Sequence, residues 1–245
     1  MSLFPIRSLL VAALLGGCAL AASARAAGPQ ADALFARLAQ AAPSLDREVL
    51  SLATRAVACS RRQPGNPGAP STLSVIDFSR PSTEPRLWVF DLASHDLLFE
   101  ELVAHGRNTG GNLATEFSNR SGSNMSSLGA FRTAESYVGA NGYSLRLDGL
   151  EPGFNDLARD RAIVIHGAPY VSPGIARAQG RLGRSLGCPA VRPEIARDLI
   201  DRIRGGSLVF AYYPDSDWLQ RSRLLDGDCG ATRQASAARA APGGS

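Results

Sequence analysis

Residues 128–150 read LGAFRTAESYVGANGYSLRLDGL, with Asn141-Gly142 set between two runs in which apolar and polar residues alternate. Alternation places successive side chains on opposite faces of an extended chain. Asn-Gly accepts the positive φ angles that a tight return requires, so this segment can hardly be anything but a β-hairpin. Similar runs stand on either side. TLSVIDFS (72–79) is β-branched, and RLWVFDL (86–92) and DLLFEELVAHG (96–106) are separated by the short polar turn ASHD. RAIVIHG (161–167) and SLVFAYYP (207–214) are continuous apolar runs of the length expected of buried strands. Residues 108–124, rich in Gly, Ser and Asn, read as loop. The expected fold is therefore mainly β.

Helical periodicity is confined to two places. In RPEIARDLIDRIRGG, Ile195, Leu199 and Ile203 share one face and Gly205 can supply a left-handed cap. ADALFARLAQAAPSLDREVLSLATRAVAC (31–59) reads as two short helices broken at Pro43, followed by the Pro/Gly linker SRRQPGNPGAPST. The expected organisation is a helical segment and linker over 27–71, one β domain over 72–214 and a polar tail over 215–245, its last fifteen residues disordered. With 245 residues and 44% hydrophobic residues the chain can bury one good core. Its net charge of +4 is too small and too scattered for nucleic acid, and suits an anionic partner such as a cell envelope.

The first 26 residues read as an export signal. Arg7 is the positive start, LLVAALLGGCALAA the apolar core and ASARA the cleavage region, with cleavage expected after Ala26. LGGC also has the form of a bacterial lipobox, which would lipidate Cys18. Either route leads to the periplasm or the cell envelope. Cleavage leaves Cys59, Cys188 and Cys229, an odd number in an oxidising compartment. Any two could pair with the third incidental, or the two outer cysteines pair and leave Cys188 free. The second arrangement, a Cys59–Cys229 disulfide, is the one expected.

Two nucleophiles compete in GRLGRSLGCPAV (180–191). Ser185 sits in a G-x-S-x-G frame, but that elbow needs a buried strand before it, and GIARAQGRLGR is none. The α/β-hydrolase order also puts the histidine after the serine, whereas His95, His105 and His166 all precede Ser185. Cys188 is the better candidate. A thiol needs only an imidazole and donors for an oxyanion, and His166 ends a core strand beside Gly167. His105, in VAHGRN, suits a structural or supporting role, and His95 lies in a hairpin turn. No metal-ligand spacing is present, and no lysine for a phosphate-binding loop.

IHG followed by GRSLGC, with Cys188 twenty-two residues after His166, resembles the signature of the YkuD-type L,D-transpeptidases. The likeness extends over residues 72–214. SSLGAFRT (126–133) and LWVFDLASHDLLFE match the family's early strands, and VAHGRN and GYSLRLDGLEPGFND are closest to its murein L,D-transpeptidase catalytic-domain branch. The resemblance implies a β-sandwich-like catalytic domain acting on peptidoglycan stem peptides without a cofactor. Cys188 would be the nucleophile, His166 its base and Ser185 a supporting hydroxyl. The Gly187 and Cys188 amides would face the oxyanion. The chain has Leu186 where relatives often carry His, and Ala190 where they often carry Arg. Arg184 and Arg192 are the nearest replacements for a substrate-binding arginine. The implied activity is cysteine-dependent acyl transfer. L,D-carboxypeptidase or other cysteine-peptidase hydrolysis of peptidoglycan, and a non-catalytic envelope-binding protein, are the alternatives.

Overall fold

The computed structural model describes residues 29–62, 68–226 and Cys229. The expected signal segment with Cys18, the middle of the linker and the last fifteen residues lie outside the described residues. Two helices come first, α1 (Pro29–Ala41) and α2 (Arg47–Ser60), on either side of the predicted break at Pro43. Asp46 starts α2, its carboxylate accepting from the Glu48 and Val49 amides at 2.8 and 3.1 Å. The inner face of α2, Val49, Leu50, Ala53, Ala56 and Val57, is buried in the main core. This segment thus contributes to the main core.

The strands are β1 (Thr72–Asp77), β2 (Leu87–Asp91), β3 (Leu97–Glu101), β4 (Gly129–Gly139), β5 (Gly142–Gly149), β6 (Val164–Gly167), β7 (Ala190–Val191) and β8 (Leu208–Tyr212). They form one eight-stranded sheet in the order β3-β2-β1-β8-β4-β5-β6-β7. β8, the last strand in sequence, lies in the middle, parallel to β1 and antiparallel to β4. Both β1 and β8 are buried along their whole length, which explains their continuous apolar runs. The two sheet edges are joined: Ala104, just past β3, bridges Ala190 of β7, its amide donating to the Ala190 carbonyl at 2.8 Å. The expectation of a mainly β protein with a few helices holds. β4 and β5 return through Ala140 and Asn141, and Gly142 takes the positive φ of 72°.

Helix α4 (Pro193–Ile203) packs on β6, and its Leu199, Ile200 and Ile203 are buried in the core. Each such side chain contributes roughly 1.5–3 kcal/mol by leaving water. Three elements escaped the pattern: α3 (Pro173–Gln179), the two-residue β7, and α5 (Ser216–Arg221) in what read as a polar tail. Two strands are shorter than their apolar runs. β3 stops at Glu101 because residues 102–106 leave its ladder for the other sheet edge, and β6 begins only at Val164, after a turn at Ala162 with φ 53°.

Candidate active site

β6 delivers His166 and β7 follows Cys188. The two strands run parallel, with His166 opposite Ala190, so the cysteine two residues earlier comes to the same end of the sheet. Both side chains line one cleft of about 420 Å³, with Ala140 and Asn141 of the β4–β5 turn, Tyr170, Arg184, Ser185 and Leu186. Gly167 must be glycine. A Cβ there would lie 2.9 Å from the Cβ of Ala196 and 3.2 Å from the Cα of Pro193, so α4 presses directly on the residue after the histidine. That contact fixes the end of β6 and, with it, the ring.

The His166 ring is oriented by its own chain. Its Nδ1 lies 3.0 Å from the Gly167 carbonyl, which can only accept, so Nδ1 carries the proton and Nε2 is left as the base. Burial holds this imidazole below the ordinary histidine range, offset in part by the bond to Gly167. Burial likewise pushes the Cys188 thiol up, opposed by the Val164 amide and by the charge of Arg161. The two displacements run in opposite directions, and each favours the uncharged form of its group. Sγ lies 3.4 Å from the Val164 amide nitrogen and 3.7 Å from the Ala162 carbonyl oxygen.

Ser185 shapes the loop that carries the thiol. Its hydroxyl donates to the Cys188 carbonyl at 2.6 Å and accepts from the Gly187 amide at 3.0 Å. The expectation that Gly187 offers its N–H to an oxyanion therefore needs correcting, because Ser185 already holds that N–H. Gly187 serves in another way. Its φ is 130°, and a Cβ would come within 2.8 Å of the Met125 carbonyl and 3.0 Å of Ile163, so only glycine fits. The loop is held from the other side by the segment after β3. The Ser185 amide donates to the His105 carbonyl at 3.0 Å, and the Arg107 amide to the Ser185 carbonyl at 2.8 Å. Ser126, unremarked in the sequence, donates from its hydroxyl to the Gly187 carbonyl and accepts from the Gly106 amide, both at 3.0 Å.

The remaining candidates separate. Arg184 lines the cleft, one guanidinium nitrogen donating to the carbonyls of Arg107 and Gly110 at 3.1 and 2.8 Å. Arg192 does not reach the cleft. It is clamped by both carboxylate oxygens of Glu101 at 2.9 and 2.6 Å and faces a separate groove between β3 and α3. The substrate-binding expectation for Arg192 is corrected on that ground. His105 is buried below the loop, accepting from Arg86 at 2.8 Å through Nδ1, with Nε2 3.4 Å from the Gly110 carbonyl. Burial, then the Arg86 charge, pulls its pKa down to about 4, so it is a neutral structural ring. Leu186 is 63% exposed on the rim of the cleft. Cys59 and Cys229 are joined in a disulfide, and among the described residues Cys188 is the free cysteine.

A family model described as the L,D-transpeptidase catalytic domain matches residues 41–212. No curated protein shows a significant match to the sequence. Solved structures similar to the chain include an L,D-transpeptidase from Mycobacterium smegmatis, at 14% identity and TM-score 0.37 over 60% of this chain and 60% of that one. L,D-transpeptidase 3 from Mycobacterium tuberculosis matches at 12% identity and TM-score 0.38, over 60% of this chain and 63% of that one. An L,D-transpeptidase (Yku) from Stackebrandtia nassauensis matches at 11% identity and TM-score 0.35, covering 78% of this chain and 94% of its own. The chain spans about three fifths of the length of the mycobacterial proteins.

Proposed function

The chain belongs to the L,D-transpeptidase catalytic domain family, and from that premise we propose that it performs cysteine-dependent acyl transfer on the peptide stems of peptidoglycan, outside the cytoplasm. The observation that carries this reading is the pairing in one cleft of a free thiol, Cys188, with an imidazole whose Nδ1 proton is already committed.

The chemistry follows from those groups. As Sγ of Cys188 attacks a stem-peptide carbonyl, its proton passes to Nε2 of His166. The carbonyl electrons move onto oxygen, and the Cys188 amide is the donor of the loop left to meet that charge, Gly187's being held by Ser185. Collapse breaks the C–N bond, His166 returns the proton to the departing amine, and a thioester remains on Cys188. An acceptor amine from a second stem then attacks the thioester and gives its proton to His166, and the thiol leaves with a proton restored. Arg184, exposed in the same cleft, is placed to meet a carboxylate of the substrate. The Cys59–Cys229 disulfide supports the exported setting, since such bonds persist in oxidising compartments.

The test is to incubate the pure protein with defined muropeptides and resolve products by mass. Cross-linked products with loss of a terminal residue support acyl transfer to an amine. Loss of the residue without cross-links would replace transfer by hydrolysis. Binding without any mass change, and with no adduct on Cys188, would overturn the catalytic reading.

A further inference from the structure

The guanidinium of Arg161 lies beneath the loop that carries the thiol. Its Nη1 donates to the Ser118 carbonyl at 2.7 Å and to the Ser127 hydroxyl, and its Nη2 to the Met125 carbonyl at 2.6 Å and the Ser123 hydroxyl at 3.2 Å. All four partners are neutral oxygens. Among the described residues no carboxylate forms an ion pair with it. A half-buried cation without a counter-ion is costly, and a rigid four-point cradle for one needs a reason.

Its neighbours supply that reason. Nη2 lies 3.5 Å from where a Cβ on Gly187 would stand, so the charge sits against the residue preceding the nucleophile. Residues 162–164, directly after Arg161, are those the sulfur touches: the Ala162 carbonyl and the Val164 amide. The turn that brings them there passes through Ala162 at φ 53°, a left-handed conformation unfavourable for a residue with a Cβ. The groups around Cys188 that bear or can take up charge are His166, Tyr170 and Arg184 in the cleft and Arg161 below it, with no carboxylate among the cleft residues.

We propose that Arg161 is a positioning residue whose guanidinium, pinned by four neutral oxygens under the nucleophile loop, supplies the positive charge against which the Cys188 thiolate forms. The charge does not touch substrate, since Arg161 is not among the residues lining the cleft. It acts on the sulfur alone, and more strongly through protein than through water. The cradle keeps the charge fixed while the proton leaves for His166, so the environment of the anion is built before the anion exists. This inference rests on Cys188 being the reacting thiol.

Alkylation of Cys188 by iodoacetamide as a function of pH, followed by intact mass, tests it without any peptide substrate, so its outcome is separate from that of the muropeptide assay. In the exported protein, cleaved after Ala26, the disulfide removes Cys59 and Cys229 from the readout and leaves Cys188. Arg161→Gln, which keeps hydrogen-bonding ability and loses the charge, should alkylate about tenfold more slowly at pH 8, with its profile displaced to higher pH. Arg161→Lys, which keeps the charge, should stay within about threefold of the parent. Melting curves on each variant report whether the fold is intact. Equal displacement of the Gln and Lys variants, or displacement of neither, overturns the proposal. Should Arg161→Gln fail to fold, Arg161→Lys decides alone. One ammonium cannot fill a four-oxygen cradle, so a purely hydrogen-bonding role would displace its profile fully, while a charge role would leave it in place.

Discussion

At the scale of single residues, Ser185 and Cys188 divide the work that the motif puts side by side. The hydroxyl of Ser185 bridges the Gly187 amide and the Cys188 carbonyl, so it holds the loop and has no base of its own. Cys188→Ser should fold normally and lose turnover by at least about a thousandfold, because a hydroxyl is a far poorer nucleophile than a thiol beside the same imidazole. Ser185→Ala leaves two buried backbone groups short of a partner, which costs roughly 1–3 kcal/mol of local order. It should slow acylation and keep it measurable by intact mass. A dead Ser185→Ala together with an active Cys188→Ser would reverse the assignment. His105 belongs to the same scale and to a different readout. Its pKa, pulled from an ordinary 6.5 down to about 4, means that the unfolded chain binds the proton more readily than the native one. The stability this neutral ring contributes is complete above about pH 6.5 and is lost as the pH falls toward 4, by on the order of 3 kcal/mol. Urea unfolding at pH 7 and pH 4.5 should show that loss, and His105→Gln should flatten it. An unchanged slope in the variant would assign the acid sensitivity to other groups.

At the scale of elements, the chain shows which signals survive in sequence. The β4–β5 hairpin was legible because Asn141-Gly142 and the apolar-polar alternation flanking it are local facts. α2 was legible through its apolar face, and the break before it through Pro43. β7 could not be read, since two residues carry no period and only pairing with β6 defines them. α3 buries just Ala176 among its seven residues, too little to mark a face. The position of β8 in the middle of the sheet is likewise a matter of topology, invisible in its apolar run. The site divides in the same way. The Cys188 and His166 motifs stand out in one dimension, whereas Ser126 bonds to the Gly187 carbonyl and Arg161 approaches Gly187 from positions some tens of residues away in sequence. α5 escaped because one residue anchors it. Trp218 is fully buried, stacks near Phe210 and Tyr212 of β8, and donates from its indole to Glu151 at 3.1 Å. Glu151 also accepts from the Ala130 amide at 2.7 Å, so the pair ties α5 to β4. Trp218→Ala should cost about 3–5 kcal/mol, the usual toll of a large cavity, and detach α5. Hydrogen exchange should show residues 216–221 losing protection while alkylation of Cys188 keeps its rate. Loss of the thiol's reactivity would mean that α5 helps to shape the site itself.

At the scale of the whole molecule, the end of α2 meets the C-terminal end of the described chain. Cys59 closes α2 and Cys229 lies beyond α5, 170 residues later, and their disulfide encloses the entire sheet. Loop closure of that length would raise the free energy of the unfolded chain by about 5 kcal/mol on the entropy model, near the upper end of what such bonds deliver. Neither cysteine of the bond is among the residues that line the cleft. Stability and chemistry should therefore come apart. Cys59→Ala with Cys229→Ala should lower the unfolding free energy by a few kcal/mol in urea melts, and a reductant should shift the parent's melt and not the variant's. At a temperature where the variant is still folded, its Cys188 should alkylate and acylate at the parent's rates. Thiol counting on the exported, unfolded protein, cleaved after Ala26, should find one free cysteine per chain, placed at Cys188 by peptide mapping. Three free thiols, or a bridge that includes Cys188, would remove the disulfide from the account. A variant that kept its melting curve and lost its acylation would show that the bond acts on the site and not on the stability of the sheet.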